Sequence, residues 1–227
     1  MAVLVTGATR FIAYYVIEYL LQANYNVVGT VRSPEKAERL YRQFRNNPKL
    51  SLEIVEDIAQ IGALIPFFRN IARKSILPAL PQHVYLALKL LTCLSQLNAF
   101  NKFINHLLHS TPGRGIEPNP HLEFTDVRDV AKAHLLAFQR DNTAGQRLGL
   151  SEGKFGNQCI LDIVNCKFPS LRDKIAEGAN PEKGDQTPGC CFDNSHSRNI
   201  LNFDFISLER RVCDTEYQIL QEENRLR

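Results

Sequence analysis

Apolar residues near the start of the chain alternate between short continuous runs and helical stripes. Residues 2–5 form a continuous apolar run closed by Thr6-Gly7, which predicts a strand buried on both faces of a parallel sheet. Residues 11–23 carry apolar side chains three and four positions apart, which predicts a helix packed on that strand. Residues 26–31 predict a second strand. The chain therefore opens with the order of a βαβ unit.

The same alternation continues for one more helix and one more strand. Ser33 and Pro34 predict a helix start, because serine often caps helices and proline suits the first helical turn. This helix is expected to run to about Arg45, and residues 52–55 predict a third strand. Strands and helices in this order predict a right-handed, doubly wound parallel sheet.

The rest of the chain shows mostly helical periodicity. Residues 59–110 contain no obvious fourth strand, and Asp126 and Ser207 are predicted to cap two later helices. We expect one short strand at residues 146–150 and helices at residues 84–97, 101–108, 127–139, 157–165 and 208–223. The fold class predicted is α/β, with a truncated Rossmann-like parallel sheet over residues 1–110 and a small C-terminal α+β lobe over residues 111–227.

Composition narrows the function classes. Hydrophobic residues make up 44% and charged residues 22% of the 227 positions, as in ordinary soluble globular proteins. The net charge of +3 comes from interleaved charges, so we expect no nucleic-acid partner. No apolar run reaches the roughly 20 residues of a membrane span. Scattered cysteines without a CxxC pair or a secretory leader predict a reducing compartment, the cytoplasm.

The turn after the first strand resembles a dinucleotide fingerprint in its position between a buried strand and a helix. Gly7 permits the tight turn, and the small Ala13 lets the helix approach the strand. The middle position, where glycine normally lets the backbone approach a pyrophosphate, is Arg10. The sequence predicts a dinucleotide site here, and the alternative is an ordinary strand-to-helix turn with one glycine.

Charged residues after the next two strands indicate which dinucleotide would bind. An NAD site usually has an acidic residue at the end of the second strand, whereas this chain has Arg32 there and Lys36 one turn later. Two cations suit the 2′-phosphate of NADP, although the alternative is a solvated helix start. Asp57, after the third strand, is placed to accept a hydrogen bond from an adenine amino group, or else to cap its loop.

These residues, with a second set near the C-terminus, resemble the extended short-chain dehydrogenase/reductases. Within that family the resemblance is to NADPH-dependent methylglyoxal, aldehyde and ketone reductases related to dihydroflavonol 4-reductase. It covers roughly residues 1–60 and 100–226. The matching segments are Val3-Leu4-Val5-Thr6-Gly7-Ala8, Phe11-Ile12-Ala13, Gly29-Thr30-Val31-Arg32-Ser33, Glu35-Lys36, Asp57-Ile58, Asp126-Val127-Arg128-Asp129-Val130-Ala131, Ala144-Gly145-Gln146-Arg147-Leu148 and Arg198-Asn199-Ile200-Leu201.

The resemblance implies hydride transfer from NADPH to a small carbonyl substrate, with a tyrosine as proton donor and a lysine lowering its pKa. Tyr85 and Lys89 have the family's four-residue spacing, which on a helix puts both side chains on one face. The alternative is a buried aromatic ring and a lysine lying along apolar surface. The cofactor residues implied are Gly7, Phe11, Ile12, Arg32, Lys36, Asp57 and Ile58.

The middle of the chain departs from the family pattern. An intact member places two further strands and its catalytic serine, tyrosine and lysine there, so we expect impaired activity. Two functions follow from the sequence. The first is an NADPH-dependent carbonyl reductase acting on a small-molecule carbonyl substrate. The alternative is a non-catalytic remnant or a dinucleotide-binding protein. His106 and His109 lie one helical turn apart but lack a ligand set of recognised spacing, so no metal is expected.

Overall fold

The computed structural model describes residues 2–65, 84–86, 99–113, 116, 122–178 and 192–225. The chain divides into two compact units. Unit 1 consists of Met1–Pro78 and Val130–Gln146, and unit 2 consists of Ala79–Asp129 and Arg147–Arg227. The boundary predicted at residue 110 was a functional one, between a cofactor-binding region and a substrate-binding region. That boundary stays a prediction.

Unit 1 contains the parallel sheet predicted from the apolar pattern. Its elements are β1 (Ala2–Val5), α1 (Phe11–Gln22), β2 (Asn26–Val31), α2 (Pro34–Gln43) and β3 (Leu50–Ile54). The strand order is β1-β2-β3, and both pairs are parallel. The prediction of a Rossmann-like parallel sheet with helices is confirmed.

The core of unit 1 lies between the sheet and its helices. Gly29, in the middle strand, has no room for a side chain, because a Cβ there would lie 2.8 Å from Leu52 Cδ2 and 2.9 Å from Ala8 Cβ. The turn after β1 therefore packs directly on β2. The buried residues are Val5, Ala8, Ile17, Leu20, Val27, Val31, Leu40 and Leu50.

Unit 2 is built around a second, mixed sheet. Strand β4 (Val84–Leu86) pairs in parallel with β5 (Leu122–Asp126), which pairs antiparallel with β6 (Gly153–Phe155). Helix α4 (Val127–Gln139) follows β5 directly, and its residues from Val130 onward belong to unit 1. Among the described residues, the other α-helices are α3 (Ala99–Leu108), α5 (Asn157–Lys167), α6 (Ser195–Leu201) and α7 (Leu208–Arg225), and α7 packs on α3 and α5.

Two sequence predictions were wrong in unit 2. The helix expected from residue 84 is instead strand β4 at its start, and residues 87–97 lie outside the described residues. The strand expected at residues 146–150 is irregular, because Thr125 Oγ1 donates to the Leu150 carbonyl (2.7 Å) while Glu152 N–H donates to the Phe124 carbonyl (2.9 Å). The strand that pairs with β5 therefore begins at Gly153. In both segments, contacts with residues distant in sequence override the structure that the local pattern predicts.

The predicted helix caps differ in how they form. Asp126 Oδ1 accepts from Arg128 N–H (2.8 Å), and Ser207 Oγ accepts from Arg210 N–H (3.3 Å), so both act as caps. Ser33 occupies the N-cap position of α2 but makes no capping bond with its side chain. Its hydroxyl instead bonds the carboxylate of Glu35, which lowers the pKa of Glu35.

Candidate functional site

The residues predicted to bind a dinucleotide lie at one edge of the parallel sheet. The three strands of unit 1 are parallel, so their carboxyl ends, at Val5, Val31 and Ile54, meet at the same edge. Ligands of open α/β sheets bind at this edge. The segments that follow the three strands carry Gly7, Phe11, Ile12, Arg32, Lys36, Asp57 and Ile58.

The turn after β1 is held by Thr30 of the neighbouring strand. Gly7 adopts a φ of +63°, a conformation that favours glycine, and its N–H donates to Thr30 Oγ1 at 3.0 Å. Ala8 N–H donates to the Thr30 carbonyl at 2.9 Å, and the Thr30 side chain is buried. Thr30 thus fixes the turn by two bonds. Sequence reasoning missed this role, because it depends on the pairing of β2 with β1.

Replacing Thr30 with valine should loosen this turn. Valine keeps the branched shape, but it leaves the part-buried Gly7 N–H without its acceptor, which costs about 1 kcal/mol, the lower end of the range for a buried donor. We expect faster amide hydrogen exchange at Gly7 and Ala8 and a lower urea midpoint. Thr30→Ser, which keeps the hydroxyl, is the matched control. Equal exchange rates in the valine variant and the natural chain would contradict this role.

Helix α1 begins at the same edge with its N-terminus open to an anion. Arg10 is the N-cap residue, its side chain makes no capping bond, and the first turn has no acidic residue. The first N–H groups of a helix have no partner within the helix and attract negative charge. Phe11 and Ile12 are half-buried in this first turn, where the Phe11 ring packs edge-on against Tyr15 with centroids 5.9 Å apart.

Two exposed cations follow the end of β2. Arg32 comes directly after the strand, and Lys36 lies in the first turn of α2. Neither forms an ion pair with another residue in the part of the chain that the structure describes. The hydrogen bond from Ser33 lowers the pKa of Glu35, which lies between them in sequence, and the positive charge of Lys36 adds to this effect. Both cations are thus available to a phosphate group.

The segment after β3 supplies Asp57 and Ile58, and both side chains are exposed. Asp57 Oδ1 accepts a hydrogen bond from Ala59 N–H at 2.9 Å, so Asp57 caps its loop as the alternative interpretation proposed. A carboxylate has further acceptor positions, so the cap leaves room for a second bond. Binding of a ligand by Asp57 and Ile58 stays a prediction.

Tyr85 does not lie on a helix, although its pairing with Lys89 was predicted from helical spacing. Tyr85 lies in β4, opposite Thr125 of β5, rather than on a helix. A strand rises about 3.3 Å per residue, so residues four apart in a strand lie roughly 13 Å apart, whereas in a helix they lie about 6 Å apart on adjacent turns. Lys89 lies outside the described residues. A joint role of Tyr85 and Lys89 in catalysis stays a prediction. The helix on which it was based is not present at Tyr85.

A buried ionic cluster in unit 2 was not predicted. Asp126, with no exposed surface, accepts from Arg128 Nε (2.9 Å) and Nη2 (2.8 Å), and Arg211 Nε lies 3.4 Å from it. Arg128 Nη1 donates to Asp214 (2.8 Å). Burial disfavours the charge on Arg128, but Asp126 and Asp214 outweigh this effect and raise its pKa. In the sequence, the Asp-Val-Arg-Asp segment indicated only a family resemblance. Its partners on α7, Arg211 and Asp214, are known only from the structure.

Asp129 extends this cluster toward the segment before α7. Its Oδ2 accepts from Ile206 N–H at 2.8 Å, and only 2% of the residue is exposed. Burial raises the pKa of Asp129 to about 7, the Ile206 N–H opposes that rise, and the negative charge of Asp126 adds to it. These contacts make the cluster a structural element of unit 2.

Among the described residues, no group of three or more histidine, cysteine or acidic side chains could hold a metal ion. His109, at the end of α3, pairs its Nε2 with Glu223 at 2.8 Å, and His106 is exposed. In the same part of the chain, every helix is too short or too polar to cross a bilayer.

A family model and several known proteins match the sequence of this chain. The family model described as "NAD dependent epimerase/dehydratase family" matches residues 3–105. An uncharacterized oxidoreductase of Saccharomyces cerevisiae is 32% identical over 342 positions, which span 99% of each chain. The NADPH-dependent methylglyoxal reductase GRE2 of the same yeast is 29% identical over 344 positions and spans 100% of both chains.

Solved structures agree with the sequence matches. The crystal structure of yeast methylglyoxal/isovaleraldehyde reductase Gre2 complexed with NADPH superposes with a TM-score of 0.80 and 29% identity, covering 99% of this chain and 100% of that one. Gre2 from Candida albicans gives 0.82 at 24% identity, which supports the fold. The two sequence alignments run over more positions than the 227 residues of this chain, so each relative carries residues without a counterpart here.

Proposed function

Because the chain belongs to the NAD dependent epimerase/dehydratase family, the extended short-chain dehydrogenase/reductases, we propose that it binds NADPH and reduces a small aldehyde or ketone. The observation that carries this proposal is the edge of the parallel sheet in unit 1. There, helix α1 begins without a side-chain cap, and Arg32 and Lys36 form no ion pair with the residues that the structure describes. The relatives named as methylglyoxal reductases support the choice of a carbonyl substrate.

The residues at this edge fit the parts of NADPH. We assign the pyrophosphate to the turn of Gly7 and the start of α1, where helix N–H groups attract anions. Arg32 and Lys36 suit the 2′-phosphate, since both are exposed and neither is paired among the described residues. Asp57 and Ile58 are assigned to the adenine. Bound NADPH would supply the hydride, and the chain would orient it.

Proton delivery to the carbonyl oxygen is assigned to Tyr85, with Lys89 as its partner. A tyrosine needs a neighbouring positive charge to lower its pKa toward the working pH, and Lys89 is the nearest lysine that follows it in sequence. This assignment rests on spacing and on the family resemblance.

A second candidate function is dinucleotide binding without turnover. The alignments favour this second function, because they run over 342 and 344 positions, so each relative has residues without a counterpart in this chain. Incubation with NADPH and methylglyoxal, followed at 340 nm, separates the two functions. Loss of absorbance above a protein-free blank supports the reductase, whereas tight binding without loss supports the binding protein.

Arg32→Ala should remove the preference for NADPH over NADH. We expect the natural chain to bind NADPH more tightly, and the variant to lose about tenfold or more in NADPH affinity with NADH affinity unchanged, because a charge-assisted bond contributes about 1.5–3 kcal/mol. Isothermal titration measures both affinities. Arg42→Ala, which removes an exposed arginine of α2 paired with Glu38, is the control. Equal affinity of the natural chain for both cofactors would refute the assignment of Arg32.

We further place the protein in the cytoplasm. The described cysteines, Cys159, Cys166 and Cys213, are thiols rather than disulfides, which fits a reducing compartment. The partner proposed is a small carbonyl compound.

A further inference from the structure

Arg10 occupies the position where the fingerprint normally has its second glycine. Its φ of −78° and ψ of 154° are ordinary extended values, so the backbone there does not require glycine. Arg10 N–H donates to the Gly7 carbonyl (2.8 Å), and the Arg10 carbonyl accepts from Tyr14 N–H (3.0 Å). The turn and the start of α1 therefore form normally around an arginine. What differs from the fingerprint is the added side chain.

The Arg10 side chain lies over the turn. Its Cγ is 3.4 Å from the place that a Cβ on Gly7 would occupy, and the residue is exposed. Arg10 forms no ion pair with any described residue, and the first turn of α1 contains no acid. A cation at a helix N-terminus is unfavourable by itself, because the helix dipole is positive there. A bound anion would attract both the guanidinium and the helix N-terminus, and this attraction would offset the repulsion between them.

We propose that the Arg10 guanidinium binds the pyrophosphate of the dinucleotide, in place of the close backbone approach that glycine allows. This inference rests on the proposed function. Guanidinium groups bind phosphate oxygens with two parallel N–H donors, and such charge-assisted bonds are stronger than neutral ones. The side chain would therefore hold the phosphates at a greater distance from the backbone. Arg10 is a binding residue common to NADPH and NADH, whereas Arg32 serves only the 2′-phosphate.

Arg10→Met tests the proposal, because methionine keeps an extended side chain and removes the charge. Isothermal titration with NADPH and with NADH should show both affinities about tenfold weaker than in the natural chain. Arg10→Lys should recover part of this loss, because it restores the charge without the paired donors. Arg32→Ala, run beside it, should weaken NADPH alone. Since Arg10 is exposed, unchanged far-ultraviolet circular dichroism should show that each variant folds.

Three outcomes would overturn the proposal. Unchanged affinity of Arg10→Met, together with tighter binding by Arg10→Gly, would show that the arginine only obstructs the site. A loss confined to NADPH would place Arg10 at the 2′-phosphate instead. In both cases the proposed cofactor function would stand. No binding of either dinucleotide by the natural chain would refute the proposed function itself, and this inference with it.

Discussion

Asp126→Asn should lower the free energy of unfolding of unit 2 by about 3–5 kcal/mol, the range found when one partner of a buried ion pair is removed. Asparagine keeps the shape of the side chain but removes its charge. Arg211, which has no exposed surface, would then lie in the interior without the carboxylate 3.4 Å from its Nε. Arg128 would lose a charged acceptor for its Nε and Nη2 as well.

The measurement is a urea titration followed by circular dichroism, with amide hydrogen exchange of α5 and α7 to identify unit 2. The control is Glu209→Gln, which breaks an exposed pair with Lys167 in the same unit, where the two atoms are 2.8 Å apart. Exposed pairs contribute about 0–1 kcal/mol, so this variant should unfold almost as the natural chain does. Similar losses in the two variants would contradict a structural role for the buried cluster.

Glu216→Gln should make unit 2 more stable at pH 8 and change it little at pH 4.5. The side chain is fully buried, and neither carboxyl oxygen accepts a hydrogen bond from the described residues. Burial, with a further contribution from the negative charge of Glu223, raises the pKa of Glu216 to about 8. The folded protein therefore keeps this carboxyl protonated over a range in which the unfolded chain has released its proton.

The direction of the pH effect follows from proton binding. Below the ordinary pKa of 4.5, both states hold the proton, so ionisation of this carboxyl does not affect stability. As the pH rises to about 8, only the folded state holds the proton, and stability falls. The loss is on the order of 4 kcal/mol across that window. Asp129 acts in the same direction up to a pH of about 7. A part of the decline should therefore remain in Glu216→Gln.

Urea midpoints at pH 4.5, 6.5 and 8 measure this effect. The natural chain should lose stability steadily, and the gain from Glu216→Gln should grow with pH. Glu209→Gln makes the same change at an exposed position of the same helix, so it should follow the natural chain at each pH. If the Glu216→Gln variant declines as steeply as the natural chain, the carboxyl of Glu216 is ionised in the folded state.

The candidate cofactor site was accessible from sequence because its residues are fixed by local order. Each one follows the end of a strand, and three parallel strands necessarily bring their carboxyl ends to one edge. Gly7, Arg32 and Asp57 could thus be placed together before any fold was known. Thr30 could not, because its role depends on which strand lies beside β1 and on a hydroxyl directed at the Gly7 N–H.

By itself, the sequence determined the parallel unit at the N-terminus, the helices from Val127 and from Asn157, and the charge pattern that favours NADPH. These follow from apolar periodicity and local caps, which act over a few residues. Only the tertiary structure decided that residues 84–86 form a strand, since pairing with β5 overrides a local helical pattern. It also decided that Glu216 is buried while Glu209 on the same helix is exposed, because burial depends on packing against elements distant in sequence.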